Sequence, residues 1–139
     1  MSRRSRAREV AFQVLYQDDL NPGGDAGARD RFLRRRLDPD LYEFAQELVA
    51  GVRRNRAEID ALLEQTAEHW TLARMAATDR NVLRLGAYEL LHTGTPERVV
   101  VDEAVELAKR YGTARSSQFV NGILDRLMKK TEGNNHGTI

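Results

Sequence analysis

Cysteine is absent from this sequence, which removes disulfides, thiolate metal sites and cysteine nucleophiles together. Histidine is sparse: His69, His92 and His136 stand far apart, and no HExxH pair exists to seat a zinc ion. Aromatic residues make up only 6%, and no run approaches the ~18 apolar residues that a membrane span needs. The basic first residues lack the apolar stretch of a signal peptide, so a soluble cytoplasmic protein is expected. Charge of one sign is not in excess either, since 22 basic against 21 acidic residues give a formal net charge of +1. That balance excludes a uniformly basic, histone-like binder and an acidic disordered chain, while leaving room for a local basic patch.

Motifs for catalysis are missing as well. There is no phosphate-cradling GxxxxGK[ST] loop and no GxGxxG, and the scattered serines have no nearby histidine. Carboxylates abound on helix faces, where the matching basic residues make them solvated ion partners. No catalytic residue, metal ligand or cofactor is assigned, and a non-enzyme is expected.

What the sequence does have is helical periodicity almost from end to end. Its 139 residues, 41% apolar, suffice for one domain that buries roughly 70% of the surface its unfolded chain exposes. Ala7, Val10, Ala11, Val14 and Leu15 recur on one helix face, with Arg4, Arg8, Glu9 and Asp18 opposite. The Asn21-Pro22-Gly23-Gly24 loop ends that helix, and a short one follows over about 25–36 with Phe32 and Leu33 apolar. Asp38-Pro39 reads as N-cap plus first-turn proline for a helix carrying Leu41, Phe44, Ala45, Leu48 and Val52. Asn55 and Glu58 have capping-box spacing, and Ile59, Leu62, Leu63 and Thr66 carry the next helix toward Trp70.

A turn over 71–74 leads to the helix of Val82, Leu85, Gly86 and Leu90, ended by Gly94-Thr95-Pro96. Asp102 is read as starting a further helix, with Lys109 and Arg110 in its last turn and Gly112 at the C-cap. The last helix, from about Ser116 to Met128, buries Phe119, Val120, Ile123, Leu124 and Leu127. Residues 131–139 are expected to form a disordered tail beyond a 1–130 domain. Only Val99-Val100-Val101 looks strand-like, and three residues without a partner make no sheet. The fold class is all-α, with six to seven helices. Gly86 and Gly122 interrupt periodic helices, where each costs ~1 kcal/mol relative to Ala, so both are expected to admit a neighbouring helix.

The most asymmetric feature is the start of the chain. Arg3, Arg4, Arg6 and Arg8 place four positive charges ahead of the first acid, Glu9. Positive charge at a helix N-terminus opposes the macrodipole, so the cluster asks for another reward. Polyanionic phosphate supplies one; a solvated leader is the other reading. The runs at Arg34-Arg35-Arg36 and Arg53-Arg54-Asn55-Arg56 read as solvated helix ends. Tyr16 and Tyr111 read as surface rings, while Phe119 fits core and surface equally. Arginines beside flat rings are the combination that grips RNA phosphates and stacks unpaired bases.

Four segments together resemble the family of the bacterial transcription antitermination factor NusB. They are RRSRAREVAFQVLYQ (3–17), DRNVLRLGAYELL (79–91), VDEAVELAKRYG (101–112) and FVNGILDRL (119–127). The resemblance spans about residues 3–128. It implies two three-helix bundles set across each other with an N-terminal helix element joining them, and a role without catalysis. It also implies binding of the boxA element of nascent ribosomal RNA operon transcripts together with the ribosomal protein NusE, within a larger complex of other Nus factors and RNA polymerase.

Carried onto this sequence, the resemblance implies RNA contacts by Arg3, Arg4, Arg6 and Arg8, with Ser5 interrupting the basic run. It implies further RNA contacts by Tyr16, Tyr111 and Phe119, and by Arg115, Ser116 and Gln118 in the turn before Phe119. Some relatives carry an acid where Arg115 stands. For NusE it points to the exposed side of the 79–89 helix, with Asp79, Arg80 and Glu89, and to Tyr16 at the shared edge. A homodimer that hides the RNA surface fits the same helix faces. Two rivals are a helical oligomerisation module and the NusB-like domain of ribosomal RNA cytosine methyltransferases. The latter needs a following S-adenosylmethionine domain that these 139 residues do not hold.

Overall fold

A computed structural model describes the backbone of residues 2–136 and the side chains of residues 2–131. Seven α-helices follow one another among the described residues: α1 (Arg3–Leu20), α2 (Ala26–Arg36), α3 (Pro39–Arg54), α4 (Arg56–Ala67), α5 (Ala77–His92), α6 (Glu97–Tyr111) and α7 (Ser116–His136). A single 3₁₀ turn, Leu72–Arg74, joins α4 to α5. The fold is all-α, as expected. No described helix is long and apolar enough to cross a membrane.

Local chemistry sets most of the boundaries. The Ser2 hydroxyl accepts from the Ser5 N–H to cap α1, and the Asp25 carboxylate accepts from the Ala28 N–H to cap α2. Pro39 opens α3 where its missing N–H costs nothing, although the Asp38 carboxylate does not cap and pairs with Arg3 instead. Asn55 also departs from the expected box: its amide donates to the Gly51 carbonyl at 2.8 Å, closing α3 rather than opening α4.

Two boundaries differ from the sequence reading. Helix α6 begins at Glu97, not Asp102, because Pro96 serves as N-cap and its carbonyl accepts from the Val100 N–H. The three valines are therefore helical, with Val100 and Val101 joining Ala104, Leu107 and Ala108 on the buried face. Helix α7 runs on to His136, and residues 137–139 of the expected tail lie outside the described residues.

Helices α1, α2 and α3 pack as one bundle and α5, α6 and α7 as a second. Helix α4 packs on α5 and α7, and α1 also packs on α5, joining the two halves. The central pair is α1 and α5. Helix α1 buries Ala7 through Phe12 without a break, and α5 buries Asn81 through Glu89. Such helices have no solvated face along those stretches, so any charge there must find its partner inside. At Gly86 an added Cβ would meet Leu124 Cδ1 at 3.0 Å, which shows the close approach of α5 and α7. Gly122 has nothing within 4 Å of such a Cβ and admits no neighbouring helix.

Candidate nucleic-acid interface

The four arginines at the start of α1 divide by helical position. Arg3 is exposed and reaches Asp38 and Asp40, each at 3.2 Å. Arg4 is exposed, with its guanidinium 4.8 Å from the Phe44 ring centre. Arg6 is half-buried and donates to Glu9 at 2.6 Å. Arg8 is only 3% exposed and forks onto Glu89 with two contacts of 2.9 Å. This corrects the RNA assignment of Arg8: its helix is enclosed at that level, and its charge is satisfied by α5 rather than by solvent-borne phosphate.

The NusE-facing residues on α5 need a similar correction. Glu89 is 2% exposed and holds Arg8, so it presents nothing to a partner. Arg80 is half-buried; it donates to Asp19 at 2.7 Å and to the Leu72 and Met75 carbonyls, which ties the 3₁₀ turn to α1. Asp79 is half-buried and its Oδ1 has no hydrogen-bond partner. The expected exposed side over 79–89 is therefore confined to the first turn, because α1, α3, α4, α6 and α7 enclose the helix from Asn81 through Glu89.

Two carboxylates on α1 anchor the polar seam. Burial works against the charge of Glu9, yet hydrogen bonds from Arg110 and Arg6 hold its carboxyl below the usual carboxylate range. Burial likewise opposes the charge of Asp19, and hydrogen bonds from Asn81 and Arg80 with the nearby Arg84 charge pull its carboxyl down. Arg84 in turn spans to Asp60 of α4 at 2.8 Å. Apart from the Arg6–Glu9 pair, three residues apart on α1, none of these pairings is visible in the local pattern, since each joins different helices.

The aromatic residues fall into two groups. Tyr16 and Tyr111 come together around Phe12, whose ring centre lies 6.1 Å from Tyr16 and 4.9 Å from Tyr111. Tyr111 accepts from the Gln13 amide at 2.9 Å, and burial followed by the Glu9 charge pushes its hydroxyl pKa up. The two tyrosines, Arg29, Phe32 and Arg36 line an open cleft of about 870 Å³ between α1 and α2. Phe119 is elsewhere, edge-on to Trp70 with ring centres 5.9 Å apart.

Ser116 is 1% exposed, and its hydroxyl accepts from the Thr113 N–H at 2.9 Å. It shapes the turn into α7 and is corrected from an RNA contact to a structural residue. Arg115 and Gln118 are exposed on either side of it. Sequence reasoning gave Trp70 no role beyond marking a helix end. Its signal was a lone large ring outside the helical period.

The family model for the NusB family matches residues 5–129. The chain belongs to the NusB family. A curated relative, the transcription antitermination protein NusB of Anaeromyxobacter dehalogenans, is 45% identical over 128 residues, covering 91% of this chain and 90% of its own. Among solved structures, T. maritima NusB superposes with a TM-score of 0.86 at 40% identity, covering 93% of this chain and 92% of that one. A chain in the crystal structure of antitermination factors NusB and NusE in complex with dsRNA gives 0.83 at 32% identity, covering 94% and 98%.

Proposed function

We propose that this protein is a non-catalytic RNA-binding adaptor in transcription antitermination, binding boxA RNA together with NusE and joining other Nus factors on RNA polymerase. The observation that carries the reading is the likeness, over nearly the whole chain, to a structure that contains NusB, NusE and RNA. Three arginines at the start of α1 reach solvent and supply phosphate contacts: Arg4 directly, Arg3 and Arg6 by exchanging their carboxylate partners. Tyr16 and Tyr111 offer ring faces along the cleft, and Arg115, Gln118 and Phe119 offer a second contact region at the start of α7.

NusE extends the surface from the first turn of α5 and from Tyr16. By linkage, RNA then tightens the protein pair by the same factor that NusE tightens RNA binding. Fluorescence anisotropy with a boxA RNA, with and without NusE, tests this. The expected result is a NusE-dependent gain that a scrambled RNA does not share. Equal binding of the scrambled RNA would refute the boxA reading.

A further inference from the structure

Trp70 is 47% exposed, and it is the chain's only tryptophan. A singly exposed large side chain is ordinary on a protein surface. This one is held in a specific setting. Glu68, two residues before it, has φ +56° and ψ −61°, and the His69 N–H donates to the Ala67 carbonyl at 2.6 Å across Glu68. That is a tight γ-turn with positive φ at a residue other than glycine, a strained conformation that surrounding structure must hold in place. It ends α4 abruptly and carries the chain to Trp70. The 3₁₀ turn beyond is fastened by the Leu72 N–H to Glu64 and by Arg80 to the Leu72 carbonyl. The indole and the Phe119 ring meet in a T-shaped contact at an interplanar angle of 76°, while about half of the Trp70 surface stays in water.

The charge around the pair points to the occupant. Arg74 follows Trp70 by four residues, Arg115 lies one turn before Phe119, and Arg126 lies two turns after it on the same helix face; all three are exposed. Among the described residues none of the three has a carboxylate partner, whereas Arg3, Arg29, Arg53, Arg56, Arg84 and Arg98 are all paired. Unpaired guanidinium groups beside an exposed ring suit an anionic strand whose bases can be splayed out, rather than an apolar protein surface.

We propose that Trp70, braced edge-on by Phe119, is a base-stacking platform for single-stranded RNA, flanked by Arg74, Arg115 and Arg126 as phosphate contacts. This rests on the RNA-binding reading above and adds a residue to it. The indole supplies sequence-tolerant stacking and the arginines supply salt-dependent attraction.

The test uses the full chain, a single-stranded boxA RNA labelled for anisotropy, and the intrinsic fluorescence of Trp70. Stacking quenches that fluorescence in step with the anisotropy change. Trp70→Ala weakens RNA binding by about 5- to 150-fold without changing the salt slope, and Trp70→Phe, which keeps a ring, recovers most of the loss. Arg74→Ala flattens the slope instead. Binding by anisotropy with no quenching, and with Trp70→Ala equal to the parent, would overturn the platform while leaving the RNA reading intact. No RNA binding by the parent at all would overturn both. Loss of NusE binding in Trp70→Ala without RNA present would show a protein contact and overturn the proposal.

Discussion

The Arg8 guanidinium and the Glu89 carboxylate, 81 residues apart in sequence, form a buried fork between α1 and α5. Their side chains are 4% and 2% exposed, and Glu103 of α6 approaches the same guanidinium at 3.8 Å. One ion cluster thus joins three helices from both bundles. A buried pair contributes little against an apolar replacement, but removing one partner strands a charge.

Arg8→Ala is accordingly expected to cost about 3–5 kcal/mol of stability by urea unfolding. The double change Arg8→Met with Glu89→Met is expected to recover much of that loss, since the fully buried carboxylate goes with its partner, and Glu103 keeps partial exposure and its hydrogen bond from Ser5. A double variant as unstable as the single one would show that the loss is one of packing rather than of uncompensated charge.

Arg4 and Arg8 separate two roles that their shared run obscures. Arg4→Ala is expected to leave stability nearly unchanged and to flatten the slope of log affinity against log salt by roughly 0.7, the loss of one single-strand phosphate contact. Arg8→Ala, assayed where it remains folded, is expected to keep the parent slope. Equal flattening by both changes would contradict the burial of Arg8.

How the sequence misjudged Arg8 is a matter of reach. Ala7, Val10, Ala11, Val14 and Leu15 mark one buried face, and all of them are buried. Nothing local tells that α5 and α6 cover the opposite face too, because Glu89 and Glu103 stand more than eighty residues away. The same holds for Glu89, which sits in an amphipathic-looking helix that five others surround. Seven helices, the proline start of α3 and the glycine approach at Gly86 were legible, since each rests on spacing or a single residue's backbone. The Ser116 turn contact and the strained turn at Glu68 were not: one needs the geometry of the loop after Gly112, the other a φ value.

The acid side of the stability curve is expected to depend on Glu9 and Asp19. Both carboxyls are held below their ordinary range in the folded protein by hydrogen bonds that outweigh burial. The unfolded chain then binds more protons than the folded one as pH falls through the ordinary carboxylate range near about 4. Stability from these groups is complete above that range and drains away as pH drops toward their depressed folded values. Glu9→Gln and Asp19→Asn are expected to flatten stability against pH between about pH 5 and 2, as read by thermal melts. A parent whose stability rises on acidification would reverse the sign and defeat the assignment.

Three glycines offer a graded test of helix approach. At Gly122 an added Cβ meets nothing within 4 Å, so Gly122→Ala is expected to raise stability by up to about 1 kcal/mol through helix propensity alone. At Gly86 the nearest atom is a Leu124 methyl at 3.0 Å, so the same propensity gain is set against a small shift of a flexible side chain. At Gly51 a Cβ would run into the Tyr88 ring. That ring is buried, stacks on His92 and bonds Glu47, so it has no easy retreat. Gly51→Ala is expected to lose about 1–3 kcal/mol to overpacking between α3 and α5. The order Gly122, Gly86, Gly51, from most to least stable, is the readout by denaturant midpoint. A stabilising Gly51→Ala would mean that α3 and α5 do not meet as closely as the Tyr88 contact requires.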